Sequence, residues 1–78
     1  MSTRTLSRRF REQIGATPAA WIARARVRRA QQLLETTELS VERVAAAVGF
    51  ASTTVLRDQF TRVVGTSPRS YRRAFKVF

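Results

Sequence analysis

The sequence contains no cysteine and no histidine. The first absence removes any disulfide framework and thiolate metal ligation. The second removes the commonest general base and a major metal ligand. Acids are scarce as well: five Asp and Glu stand against fifteen Lys and Arg, a formal net charge of +10. Glu35 and Glu38 flank a helix end, where they read as solvated rather than as a pair of carboxylates set for acid–base work. Neither an enzyme nor a metal or cofactor is therefore expected. No apolar run approaches the ~20 residues of a membrane span. The opening MSTRTLSRRF has no apolar stretch behind its charges, so it does not read as a secretory signal. It is Arg- and Ser-rich like a mitochondrial transit peptide, but that pattern continues through the whole chain, which favours a folded domain. The expected compartment is the cytoplasm.

What the chain has in abundance is arginine, fourteen of its fifteen cations. A guanidinium is a planar fork that suits phosphates and guanine edges, where a lysine is a point charge. A small, strongly basic domain points to nucleic acid or to an anionic membrane surface. A solvated basic face with no dedicated partner is the plainer alternative. A membrane-surface peptide fits poorly, because Arg occurs along every predicted helix and Pro and Gly turns interrupt any long amphipathic stretch. Seventy-eight residues allow one small domain, or two small lobes sharing an element. Such a chain buries only about 60% of its unfolded surface, so the loss of any helix would matter.

Turn signals are few and regular. Gly15 precedes Thr17-Pro18, and Gly65 precedes Ser67-Pro68. Gly just past a helix supplies a left-handed residue, and Thr or Ser before Pro is an N-cap followed by the first helical position. Each phrase stops one helix and starts another. Gly49 marks one more turn. The spacing of apolar residues then predicts an all-α chain with helices over 2–14, 18–36, 41–48 (capped by Ser40), 52–64 and 68–76. Expected core positions are Trp21, Ile22, Ala25, Val27, Ala30, Leu33 and Leu34 on the long helix. The short helix offers Val41, Val44, Ala45 and Val48, and the next Leu56, Phe60, Val63 and Val64. Tyr71 and Phe75 stand four apart on the last.

The chain also repeats itself at a shift of fifty. Ser2, Thr3, Leu6, Phe10, Gly15 and Pro18 meet Ser52, Thr53, Leu56, Phe60, Gly65 and Pro68 as identities. Ile14 meets Val64, Thr17 meets Ser67, and Trp21 meets Tyr71. Core and turn positions match in one register, so a shared backbone is favoured over chance similarity of two amphipathic helices.

Residues 40–64, SVERVAAAVGFASTTVLRDQFTRVV, read as a short helix, a Gly turn and a second helix. Ala45, Ala46 and Ala47 are small enough for close packing. This is helix-turn-helix grammar, although plain helical hairpins share it. With the core stripe of 52–64 assigned inward, Thr53, Thr54, Arg57, Asp58 and Thr61 are left outward. In the first copy the outward set is Arg4, Thr5, Ser7, Arg8 and Arg11. Both faces offer hydrogen-bonding groups at the pitch of successive base edges, and Arg4, Arg8 and Arg57 suit bidentate contacts to guanine. A solvated helix face is the alternative for each. Helix 18–36 would be roughly 28 Å long at ~1.5 Å per residue. Adjacent major grooves on one side of B-DNA lie about 34 Å apart, so a rod of that length could hold one reading helix at each end. Arg62, Arg69 and Arg72, at helix starts and turns, suit phosphates, as do the helix N-termini at Thr17 and Ser67.

RTLSRRF, GATPAAWI, RARVRRAQQLLETT, VERVAAAVGF and GTSPRSYRRAF together resemble the DNA-binding domain of the AraC/XylS transcriptional regulators, over nearly the whole chain. The resemblance implies a homeodomain-like all-α bundle of two helix-turn-helix units joined by a long helix, reading adjacent major grooves of double-stranded DNA. It places base contacts at Arg4, Thr5, Ser7 and Arg8, and at Thr53, Thr54, Arg57 and Asp58. Phosphate contacts then fall to Arg11, Thr17, Arg62, Ser67, Arg69 and Arg72. Within the family the phrasing is most similar to regulators with an N-terminal amidase-fold (PfpI-like) sensor domain, although no effector site is expected in this chain. The family's domain begins with two helices that have no counterpart here. The expected division is therefore a partial first unit with the linker helix, 1–36, and a complete second unit, 37–78. Leu6, Phe10 and Ile14 would have only Trp21, Ile22 and Ala25 to meet them, so helix 2–14 is expected to fray or self-associate. Asp58 departs from the family, which often has a basic residue there. Either Arg57 takes over its contact, or the second helix reads weakly, or Asp58 pairs locally with Arg57 or Arg62. The alternatives to specific DNA reading are a basic helical module for an acidic protein partner, or a truncated fragment that binds DNA without selectivity. The sequence sets no oligomeric state.

Overall fold

The computed structural model describes residues 17–75, which form helices and no strand: α1 Pro18–Thr36, α2 Val41–Val48, α3 Thr53–Val64 and α4 Pro68–Phe75. The expected helix 2–14, with its face of Arg4, Thr5, Ser7, Arg8 and Arg11, lies outside the described residues, as do Gly15 and the end of the chain from 76 on.

Local signals set the helix ends. The Ala20 N–H donates to Thr17 Oγ1 at 3.1 Å, and the Ser70 N–H to Ser67 Oγ at 3.1 Å. The two donors stand fifty residues apart, as do the two acceptors, so the sequence repeat is a repeat of cap geometry. Ser40 caps α2 through the Arg43 N–H. Ser52, predicted as the first residue of its helix, is instead the N-cap of α3 and accepts from the Val55 N–H. Its hydroxyl satisfies a donor that the first helical turn leaves open.

Gly49 and Gly65 take φ of 90° and 92°, the left-handed region that costs other residues strain. At Gly49 two hydrogen bonds close the turn, Gly49 N–H to the Ala46 carbonyl and Phe50 N–H to the Ala45 carbonyl. That pairing is a Schellman turn, which tucks the residue after the glycine back against the helix. Phe50 is accordingly buried, a core position that periodicity did not mark. The Arg26 guanidinium lies 6.0 Å over the Phe50 ring and borders Gly49, clasping the turn from α1.

The core joins Val27, Ala30 and Leu34 of α1 to Val44, Ala45 and Val48 of α2, with Phe50, Leu56 and Phe60. Leu33, Val41, Val64 and Tyr71 pack around it. The α1 helix meets all three others. Several expected core positions are corrected. Trp21 and Ile22 are each 44% exposed, Val63 41% and Phe75 48%, and Ala25 is exposed too; Ala46 and Ala47, expected to allow close packing, face outward. The reason is length: at ~1.5 Å per residue the nineteen residues of α1 outrun the eight of α2 and the twelve of α3. The buried residues of α1, Val27, Ala30 and Leu34, all lie from its midpoint on, and its first turns leave Trp21 and Ile22 outside the core.

The C-terminal end of α1 has no glycine. Thr36 and Thr37 donate their hydroxyls to the Gln32 and Leu33 carbonyls, at 2.7 and 2.6 Å. From α4, Arg72 donates Nε to the Leu34 carbonyl and Nη2 to the Thr37 carbonyl, both at 3.2 Å. Beside it the Tyr71 hydroxyl donates to Glu35, and the Tyr71 ring meets Phe60 edge-on at 5.5 Å. Two neighbouring residues thus latch α4 onto the end of α1.

Candidate nucleic-acid interface

The α3 helix buries Leu56 and Phe60 and turns the opposite side outward. At about 100° per residue, Arg57 and Arg62 lie roughly 140° apart around the helix, and Thr54, Asp58 and Thr61 fall between them. All five are exposed. Thr53, predicted to face outward, is half-buried at the first position after the cap. Asp58 sits near the centre of the arc and forms no ion pair with Arg57 or Arg62 among the described residues. No described residue occupies its carboxylate.

Sequence reasoning missed Val55. It is 38% exposed at the front of α3, just beyond the edge marked by Arg62. The signal was present, since Val55 fits neither the buried stripe nor the polar set.

Concave surfaces flank the arc. On one side Arg57 joins Val41 and Glu42 of α2 and Ser67, Pro68 and Arg69 of α4 around a cleft. Here the start of two helices and two guanidinium groups converge, with Glu42 as the one acid among the described residues. Pro68 is fully buried, which anchors the first turn of α4 against the bundle. On the other side Arg62, Gln59 and Val63 of α3 face Arg24 and Arg28 of α1.

The expected phosphate contacts distribute unevenly over this surface. Arg62, Ser67 and Arg69 lie on the flanks of the arc, with Arg62 and Arg69 exposed. Thr17 caps the far end of α1, and Arg11 lies outside the described residues. Arg72 is different: it is half-buried, with its guanidinium already engaged by two carbonyls at the end of α1. Among the described residues no group of His, Cys, Asp and Glu could hold a metal ion.

A family profile described as a helix-turn-helix domain matches residues 1–74. The chain is 39% identical over 75 residues to the HTH-type transcriptional regulator Rv1931c of Mycobacterium tuberculosis, covering 96% of this chain and 29% of that protein. It thus spans less than a third of the length of the curated relatives it matches. Among solved structures, the DNA-binding domain of AdpA in complex with a target DNA superposes with a TM-score of 0.90 at 47% identity, over 97% of this chain and 68% of that one. An AraC-type regulator from Chromobacterium violaceum superposes at 0.92 with 28% identity, over 99% and 69%.

Proposed function

The chain belongs to the AraC-type helix-turn-helix domains, the DNA-binding parts of transcriptional regulators, and on that premise we propose that α3 enters the major groove of double-stranded DNA and reads its sequence. The observation that carries the proposal is the exposed arc of α3, polar along its middle and bounded by an arginine on each edge. An α-helix with side chains is about 10–12 Å across and the major groove about 12 Å wide, so the middle of the arc meets bases and its edges meet the groove walls.

Roles follow from position on that arc. Thr54 and Asp58 reach base edges, Asp58 accepting from a cytosine amino group, with Thr53 supporting at the rim and Val55 against a thymine methyl. Arg57, read from the sequence as a base contact, moves to the groove wall, because it shares a cleft with Ser67 and Arg69. These three hold phosphate oxygens and fix the register of α3. Arg72 acts through the fold and not on DNA. The first unit, with Arg4, Thr5, Ser7 and Arg8 as readers and Arg11 on phosphate, takes the neighbouring groove, and α1 spans the two. The reading places the chain in the cytoplasm; no described helix is long and apolar enough to cross a membrane.

Selection of duplexes from a random pool by the 78-residue chain tests this. Enrichment of no motif would sink it. Asp58→Ala should relax the selected motif at one position, at a cost of about 1–3 kcal/mol on the chosen site. Arg57→Ala should instead weaken binding to all sequences alike, lower the salt slope by about 1 and leave the motif intact.

A further inference from the structure

We propose that Arg24 and Arg28 of α1, together with Gln59 and Arg62 of α3, form a second phosphate-binding cleft that grips the groove wall opposite Arg57. The proposal rests on the reading of α3 as the groove helix. A helix that fills a major groove has a sugar–phosphate strand along each flank. The flank bearing Arg57 has its partners in Ser67 and Arg69. On the other flank the α1–α3 cleft, about 430 Å³, is walled by Arg24, Arg28, Gln59 and Arg62, with Ala20 and Ala23 leaving room between them. Arg62 marks the edge of the reading arc, so the cleft is continuous with it.

Three other arginines of the described residues are already engaged within the fold. Arg26 lies over Phe50, Arg29 donates to Gln32, and Arg72 closes the end of α1. Arg24, Arg28 and Arg62 are exposed and make no hydrogen bond, ion pair or ring contact among the described residues. Arg24 and Arg28 stand four apart on one helix face, where like charges repel. Unlike the opposite cleft with its Glu42, this one has no acid among the described residues of its lining. Three guanidinium groups around one hollow, with no counter-ion among the described residues, are a site for an anion from outside. A backbone phosphate, through its charged non-bridging oxygens, is the anion that α3 in a groove would bring there. The linker helix then does more than set the distance between reading units: its first half touches the backbone itself.

The test measures affinity against salt for the 78-residue chain on a duplex with its selected motif and on one of random sequence. Arg24→Gln with Arg28→Gln should make the slope of log affinity against log salt shallower by about 2, since each lost phosphate contact removes ~0.9. Affinity for both duplexes should fall by the same factor, with the motif unchanged. Arg24→Lys with Arg28→Lys should restore most of the slope, which a purely structural role would not predict. Unchanged slope in the Gln variant, or lost affinity without lost slope, overturns the cleft. If the wild-type chain shows no preference for its motif, specific reading fails instead, and the slope on random duplex still decides the cleft.

Discussion

Tyr71 is the one tyrosine of the chain, and its phenol titrates against a known neighbour. Its hydroxyl donates to Glu35; that bond, then partial burial, then the carboxylate charge, hold its pKa above the ordinary 10.0, with a Gln31 contact opposing weakly. The native state therefore binds this proton more tightly than the unfolded chain does. The stabilisation is whole below pH 10 and is lost as pH rises through the raised native pKa. With one phenol to observe, phenolate absorbance should titrate later in the folded protein than in denaturant, and Glu35→Gln should move the midpoint down towards the unfolded value. An unmoved midpoint would mean that Glu35 does not hold the proton. The repeat pointed to Tyr71 as a special position by pairing it with Trp21. Its partner thirty-six residues away was not legible, because no local pattern links 35 to 71.

At the scale of elements, every described helix start followed a short polar signal, and the ends followed two kinds of chemistry. Glycine ends α2 and α3, as the spacing predicted. The end of α1 depends on Arg72 reaching across from α4. Removing that side chain leaves two part-buried carbonyls without their donor, and hydrogen bonds from charged groups contribute about 1.5–3 kcal/mol. Arg72→Ala should lower unfolding stability by roughly 2 kcal/mol while leaving the salt slope of DNA binding unchanged. Chemical denaturation and a salt titration of the same variant check both halves. A shallower slope with normal stability would return Arg72 to the phosphates. The sequence showed Arg72 as one more cation beside a helix start, since a carbonyl acceptor leaves no mark in composition.

For the whole molecule the governing number is +10, and what matters is where that charge is free. Arg24, Arg28, Arg57, Arg62 and Arg69 border the reading arc in two clefts. Five phosphate contacts at ~0.9 each predict a slope near −4.5, or roughly 500-fold weaker binding from 50 to 200 mM salt. Fluorescence anisotropy across that range measures it. A slope shallower than about −2 would mean that the clefts do not meet the backbone. A steeper one counts contacts outside the described residues.

The sequence by itself determined the described helices, the caps at Thr17, Ser40 and Ser67, the left-handed Gly49 and Gly65, and the net charge. These are local properties: a hydroxyl caps a helix three residues on, and an apolar stripe recurs every three to four. It also carried the fifty-residue repeat, which reappears as two matching caps at Thr17 and Ser67. Only the tertiary structure decided which arginines are occupied and which are open. Arg26 and Arg72 read the same as Arg24, Arg28 and Arg62 along the chain. The difference lies in what the fold brings opposite each one, whether an aromatic ring, a carbonyl or a bare cleft. The same holds for Val63 and Phe50: both are apolar beside a turn, yet the finite length of the bundle exposes one while a Schellman turn buries the other.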